Sequence, residues 1–151
     1  MITLLWIVIF LATFIGMEGM AWFTHKYIMH GFLWSLHKDH HQKDHSSWWE
    51  RNDLFFVFYA AVSIGCFLSW RYENVWFTLP IGLGILAYGI AYFSVHDIFI
   101  HQRFKIFRNA NSTYAKGIRR AHKMHHKHIG KEDGENFGML FVPFKYFKKS
   151  K

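Results

Sequence analysis

Cysteine is almost missing: the 151 residues contain one, Cys66. That excludes a disulfide framework and any zinc module built on thiolates. Proline is nearly as scarce, with only Pro80 and Pro143, so there is no proline-rich linker. Acidic side chains are outnumbered, 10 Asp and Glu against 18 Lys and Arg, leaving a formal charge of +8. Low-complexity stretches are absent, and 52% hydrophobic with 21% aromatic residues excludes intrinsic disorder. A mean hydropathy of only +0.02 beside that apolar content means the chain is segregated into greasy and charged blocks. What the sequence has in excess is histidine, 12 in all.

Three blocks are nearly free of charge. Residues 1–23 carry Glu18 alone, and residues 54–70 and 75–95 carry none. Each has the character of a membrane-crossing helix, which needs roughly 20 apolar residues. Only residues 71–74 separate the second and third, which forces an antiparallel hairpin. Trp70 and Trp76 near that turn, and Trp22, Trp48 and Trp49 at the opposite ends, read as interfacial belts. The first block lacks a basic leader and a small-residue cleavage site and runs directly into histidines, so it is expected to remain as a span. The expected fold is all-α: a single integral membrane domain over residues 1–151. It has about three transmembrane helices and a cytoplasmic, histidine-rich helical cap drawn from residues 25–45 and 96–128.

Lys/Arg counting sets the orientation. Residues 24–53 hold Lys26, Lys38, Lys43 and Arg51, the hairpin turn holds Arg71 alone, and residues 103–151 hold the other 13. The positive-inside rule then puts the N-terminus outside and the basic C-terminal part in the cytoplasm. A nucleic-acid partner is not expected, because topology already accounts for the charge.

Ten of the histidines fall into four short groups: His25 and His30; His37, His40 and His41; His96 and His101; His122, His125 and His126. The spacings are H-x4-H, H-x2-HH, H-x4-H and H-x2-HH, so one unit of span, pair and triplet occurs twice. On an α-helix the positions i, i+3 and i+4 share an arc of about 100°, so each triplet is expected to aim three imidazoles at one locus. The pairs are i and i+5, roughly 140° apart on a straight helix, so they share a face only if the helix is bulged, or else they serve different metals. Gly31, directly after His30, suits a helix C-cap that turns the chain back toward the first triplet. His45 and His128 stand outside the pattern and read as surface or hydrogen-bonded side chains.

Ten imidazoles divide naturally into two metals with five each, leaving one open octahedral position per metal. Structural zinc takes four ligands in a closed tetrahedron, so ten are too many for one such site. Two redox-active irons with open positions fit oxygen chemistry better. No H-E-x-x-H occurs, which leaves zinc-peptidase chemistry without its general base. Bis-histidine haem is disfavoured because the ligands stand outside the spans. A membrane metal carrier or sensor is the other class, but a carrier needs ligands along its path, and the spans contain no histidine.

The histidine boxes resemble those of the membrane fatty-acid hydroxylase and sterol desaturase superfamily. Their surroundings resemble the bacterial β-carotene hydroxylase family within it. The likeness lies in Gly16-Met17-Glu18, in residues 25–31, in residues 37–41 and in Asn52-Asp53-Leu54. It continues in Val95-His96-Asp97, His101-Gln102-Arg103, residues 121–126, Gly130-Lys131-Glu132 and Phe137-Gly138. Four boxes with ten histidines differ from acyl desaturases, which typically show three with eight. The chain departs from the family in its short C-terminal part and in the extra Lys43-Asp44-His45 run. The resemblance implies a di-iron oxygenase that hydroxylates the β-ring of a carotenoid. One atom of O2 would enter an unactivated ring carbon and the other leave as water, with two electrons supplied by ferredoxin. Zinc is expected to substitute for iron in purified protein. A fatty acid, a sterol or another lipid is the alternative substrate.

Four carboxylates are candidates to orient metal-bound imidazoles, which usually donate their second N–H to an acceptor. They are Asp97, Asp39, Asp53 and Glu18. Glu18 lies two helical turns before His25, on its face of the first span, and ionisable groups inside a membrane are functional by default. The plainer reading of Glu18 is a carboxylate hydrogen-bonded between helices. Gly82, Gly84 and Gly89, with Ala87 and Ala91, leave a slot for an apolar substrate or simply let helices pack. Tyr59, Tyr88, Tyr92 and Phe93 are expected to line such a slot. Arg103, Lys105, Arg108, Arg119, Arg120, Lys123 and Lys127 are candidates to steer an acidic ferredoxin.

Overall fold

The computed structural model describes residues 2–42, 46–130 and 132–148. Among them every regular element is helical. Helix α1 (Ile2–Phe23) runs without interruption into a π-helical segment (Thr24–Phe32), and α2 (Trp34–His41) follows. Helices α3 (Asp53–Glu73) and α4 (Thr78–Phe93) form the hairpin, and α4 continues into a second π segment (Ser94–Ile100). Helix α5 (Thr113–Lys127) and a short 3-10 turn (Phe144–Phe147) complete the chain. Three stretches are long and apolar enough to cross a membrane: 2–32, 53–73 and 78–100.

The spans extend past their expected ends. Helix α3 reaches Glu73 because nothing in Arg71, Tyr72 or Glu73 breaks a helix. It stops where Asn74 takes the left-handed conformation (φ 58°, ψ 27°), a residue type that tolerates it. The tight turn therefore lies at residues 74–77, and Thr78 opens α4 with its hydroxyl on the Val75 carbonyl at 2.7 Å.

Helix α4 packs against both other spans and is the most buried of the three. Two of its glycines make that close approach. A methyl at Gly82 would sit 2.7 Å from the Phe67 ring of α3, and one at Gly84 would sit 2.7 Å from Thr13 of α1. Ser63 of α3 also donates to the Gly82 carbonyl at 2.9 Å. The core among the spans is small, with Met17, Ile85 and Tyr88 at its centre. Most remaining apolar side chains point outward, as helices solvated by lipid require.

Helix α5 is amphipathic. Ser112 caps it by accepting from the Ala115 amide at 3.1 Å, and Ile118, Ala121, His122 and His125 form its buried face. A Cβ at Gly117 would strike the Phe147 ring, so the C-terminal 3-10 turn lies tightly on this helix.

Candidate metal centre

The two H-x4-H pairs are the two π segments. In a π-helix the backbone bonds run from i+5 to i, and the His101 amide donates to the His96 carbonyl at 2.9 Å. The wider turn brings i and i+5 onto one side, with ring centroids 5.1 Å apart for His25 and His30 and 4.6 Å for His96 and His101. The spans are thus bulged where they reach the imidazoles. The chain then breaks at Gly31 (φ −107°, ψ −125°) rather than at a left-handed cap, and turns into α2.

The triplets do not each serve one locus. Ring nitrogens of His25, His30, His37, His41 and His125 lie within 4.8 Å of one another, and those of His40, His101, His122 and His126 do likewise. In each triplet the i and i+4 members, His37 and His41 or His122 and His126, join their own pair. The i+3 member, His40 or His125, crosses to the other group. At about 100° per residue, i and i+4 point roughly 40° apart, while i+3 and i+4 diverge by roughly 100°. His96 stacks on His40 at 4.6 Å and lies 5.0 Å from the His122 ring, beside the second group. Nine of the ten are therefore gathered as five and four, with His96 adjoining the four.

The outer nitrogens fix which nitrogen faces inward. Nδ1 of His25 donates to the Phe137 carbonyl (2.9 Å), of His30 to the Ile129 carbonyl (2.6 Å) and of His37 to Asn52 Oδ1 (2.7 Å). His125 donates to the Glu135 carbonyl (3.2 Å), His40 to Glu50 (3.0 Å) and His96 to Asp97 (3.1 Å). With Nδ1 protonated, each neutral ring presents a bare lone pair on Nε2. Yet Nε2 of His25 and of His41 both stand 3.0 Å from Nε2 of His37, and those of His30 and His125 stand 3.2 Å apart. In the second group the Nε2 atoms of His101 and His122 are 2.7 Å apart, and those of His40 and His126 are buried without a partner. Converging lone pairs repel unless a cation lies between them. This donor set fits metal ions that accept imidazole nitrogen.

Burial keeps these rings neutral. His40 and His122 are held well below the ordinary 6.5, first by loss of water and then by neighbouring imidazoles. The same causes bring His37 and His125 down to about 3, and His126 to about 4. Neutral imidazole is the form that binds a metal.

An apolar cavity opens among the spans, and His25 is part of its lining. Met17, Ala21, Phe55, Phe56, Ile85 and Gly89 form its walls, with Tyr59, Tyr88 and Tyr92. The Thr24 and Tyr59 hydroxyls in its lining share a 2.6 Å hydrogen bond. A second, polar hollow is lined by His40, His41, His101 and His126 with Trp48, Glu50, Gln102 and Arg103.

The model of the fatty acid hydroxylase family matches residues 10–148. The chain belongs to that family. It is 41% identical over 143 residues to the beta-carotene hydroxylase of Pantoea ananas, covering 93% of this chain and 81% of that protein. Against the beta-carotene hydroxylase of Pseudescherichia vulneris it is 40% identical over 128 residues, covering 85% and 72%. Against the chloroplastic beta-carotene 3-hydroxylase 1 of Arabidopsis thaliana it is 35% identical over 133 residues, covering 85% and 42%. No solved structure gives a significant match.

Within this hydroxylase-family chain the four candidate carboxylates part ways. Asp97 holds an imidazole directly. Asp39 instead accepts the Arg51 amide at 2.6 Å, and Asp53 accepts the Glu50 amide at 3.0 Å and Arg103. Glu18 bonds Tyr88 and the amides of Met139, Leu140 and Phe141 rather than an imidazole. The sequence reading missed Glu50 and Asn52, which hold His40 and His37. The available signal was their position, at most three residues before the candidate Asp53. Arg103 is no surface cation either. It bridges Glu50 (2.8 Å), Asp53 (3.0 Å) and Asp97 (3.2 Å) with its side chain 9% exposed. Arg119 and Arg120 are likewise tied to backbone carbonyls, of Phe107 and Ala110 and of Tyr146 and Lys148. Phe93 packs on Phe56 and Phe104 and does not line the cavity. His128 joins neither group, and His45, with Lys43, Asp44 and Lys131, lies outside the described residues.

Proposed function

We propose that this chain is a two-metal oxygenase that hydroxylates the β-ring of a carotenoid dissolved in the membrane, taking β-carotene to β-cryptoxanthin and then to zeaxanthin. One observation carries the reading: an apolar cavity among the spans is lined in part by His25, a member of a five-imidazole group. The names of the similar proteins supply the substrate class.

The ligands we assign are His25, His30, His37, His41 and His125 for one ion, and His40, His96, His101, His122 and His126 for the other. Two non-haem irons, for which zinc substitutes, would supply the reductive activation of O2 there. The protein's own work is positional. Carbonyls, Asn52, Glu50 and Asp97 lock the tautomers, and the aromatic walls exclude water and steer a rigid apolar chain end-on toward His25. Exposed Lys105, Arg108, Lys123 and Lys127 leave positive charge to receive an acidic ferredoxin-type donor. By the positive-inside rule the metal ligands and C-terminal part are cytoplasmic, the N-terminus is outside, the membrane is the bacterial inner one, and residues 1–151 act as one domain.

The test is pigment analysis of β-carotene-producing cells that express the chain. Hydroxylated carotenoids are expected, and a His126→Ala variant should yield none. Oxidation of a fatty acid or sterol with carotene untouched would move the substrate and keep the chemistry. No oxidised product of any kind would leave a metal-binding membrane protein.

A further inference from the structure

Glu18 is the one ionisable side chain inside α1, and the reaction proposed above gives it no task. It is 7% exposed, and both oxygens are engaged. Oε2 accepts from the Tyr88 hydroxyl of α4 at 2.6 Å. Oε1 accepts three successive backbone amides, those of Met139, Leu140 and Phe141, at 2.8, 2.9 and 3.0 Å. Gly138 permits that approach, because a Cβ there would stand 2.8 Å from Oε1.

Glu18 lies seven residues before His25, about 10 Å further down the span at helical rise. The C-terminal loop therefore dips below the level of the imidazoles to meet it. Amides at that depth find no water to pair with, so a single carboxylate oxygen serving three of them anchors the loop.

The other end of this loop grips the five-histidine group. The Phe137 carbonyl accepts from His25 and the Glu135 carbonyl from His125. The Phe137 ring packs edge-on against His25, His30 and His125 at 5.6, 5.2 and 5.2 Å. The second group leans on Glu50 and Asp97 instead, which Arg103 ties together.

We propose that Glu18 is a positioning residue for the five-histidine group: it seats the 135–141 loop, and the loop sets the rings of His25 and His125. This rests on the reading of that group as a metal site. A plain Glu18–Tyr88 staple between helices would stabilise the fold without favouring either group.

The experiment is zinc binding to the purified, metal-free full chain in detergent, by chelator competition, with thermal unfolding followed in parallel. Wild type should bind two zinc ions per chain. Glu18→Leu should keep one tight zinc and bind the other about 10–100-fold more weakly. Glu18→Gln should restore both, since its amide oxygen still accepts the three N–H groups. Glu18→Leu added to His25→Ala should cost no further tight zinc, whereas added to His122→Ala it should leave none. If Glu18→Leu does not fold, Gly138→Ala, whose methyl would press on Glu18 Oε1 and displace the loop while leaving the span's sequence intact, should weaken one zinc in the same way. A folded Glu18→Leu, or Gly138→Ala in its place, that holds two zinc ions at wild-type affinity overturns the positioning role alone. So does equal weakening of both ions. A wild-type chain that binds no zinc overturns the metal assignment, and the positioning role with it.

Discussion

The five-histidine group and the group around His40, His101, His122 and His126 use the same box positions in exchanged roles, yet they are braced differently. The first leans on neutral oxygens: the Phe137, Ile129 and Glu135 carbonyls and the Asn52 amide. The second leans on carboxylates, Glu50 behind His40 and Asp97 behind His96. Their surroundings differ in the same sense, since the apolar cavity touches the first and the polar hollow is lined mainly by the second. A carboxylate behind an imidazole makes it a more basic ligand. The two groups are therefore unequal by construction: one borders the apolar cavity, while the other is braced by carboxylates and borders the polar hollow.

The largest expected effect tests the exchange of the i+3 histidines. His37→Ala and His40→Ala are three residues apart but should each remove a different ion, and each should cut hydroxylation by more than about 100-fold. In zinc-loaded protein, His40→Ala/His122→Ala should still hold one ion, and His37→Ala/His40→Ala none. The reverse pattern would break the assignment of the triplets.

A smaller effect separates the braces. Glu50→Gln should weaken the second ion about 10–100-fold and spare the first, and Asn52→Leu should do the opposite. Chelator titrations of both variants, read as one-ion and two-ion plateaus, check this. Equal weakening of both ions in either variant would show that the groups share one scaffold.

The smallest effect is in pH and concerns the metal-free protein. His37, His125 and His126 stay neutral when folded and take up protons near 6.5 when unfolded. Folded pKa values below the unfolded one mean the unfolded state binds more protons as pH falls. The stability these groups contribute is thus full above about 6.5 and is lost progressively toward 3–4. Thermal unfolding should occur at lower temperature at pH 5 than at pH 7.5, and loaded metal should shift the onset to more acid values. A midpoint independent of pH would contradict neutral, buried rings.

Much of this was legible in the sequence. Three nearly uncharged blocks announced the spans, and the doubled spacing announced a repeated histidine unit. The i,i+5 pairs left open a bulged helix or service to different metals, and the π segments supply the bulge. What spacing alone could not reveal was the crossing of His40 and His125, because a helical arc of about 100° does not say where a partner helix stands. Glu18 was visible as an anomaly, but Tyr88 lies 70 residues away in sequence and the three amides it accepts more than 120. Arg103 looked like one more cytoplasmic cation because charge counting cannot see burial among three carboxylates.

The central claim is two unequal metal positions in one chain. Mössbauer spectroscopy of the protein reconstituted anaerobically with ferrous iron, with metal counted on the same sample, tests it most directly. Two irons per chain in two distinct quadrupole doublets are expected, with the doublet of the carboxylate-braced iron alone shifting in Glu50→Gln. One iron per chain, or two that give a single doublet and respond together to Glu50→Gln, would contradict the account.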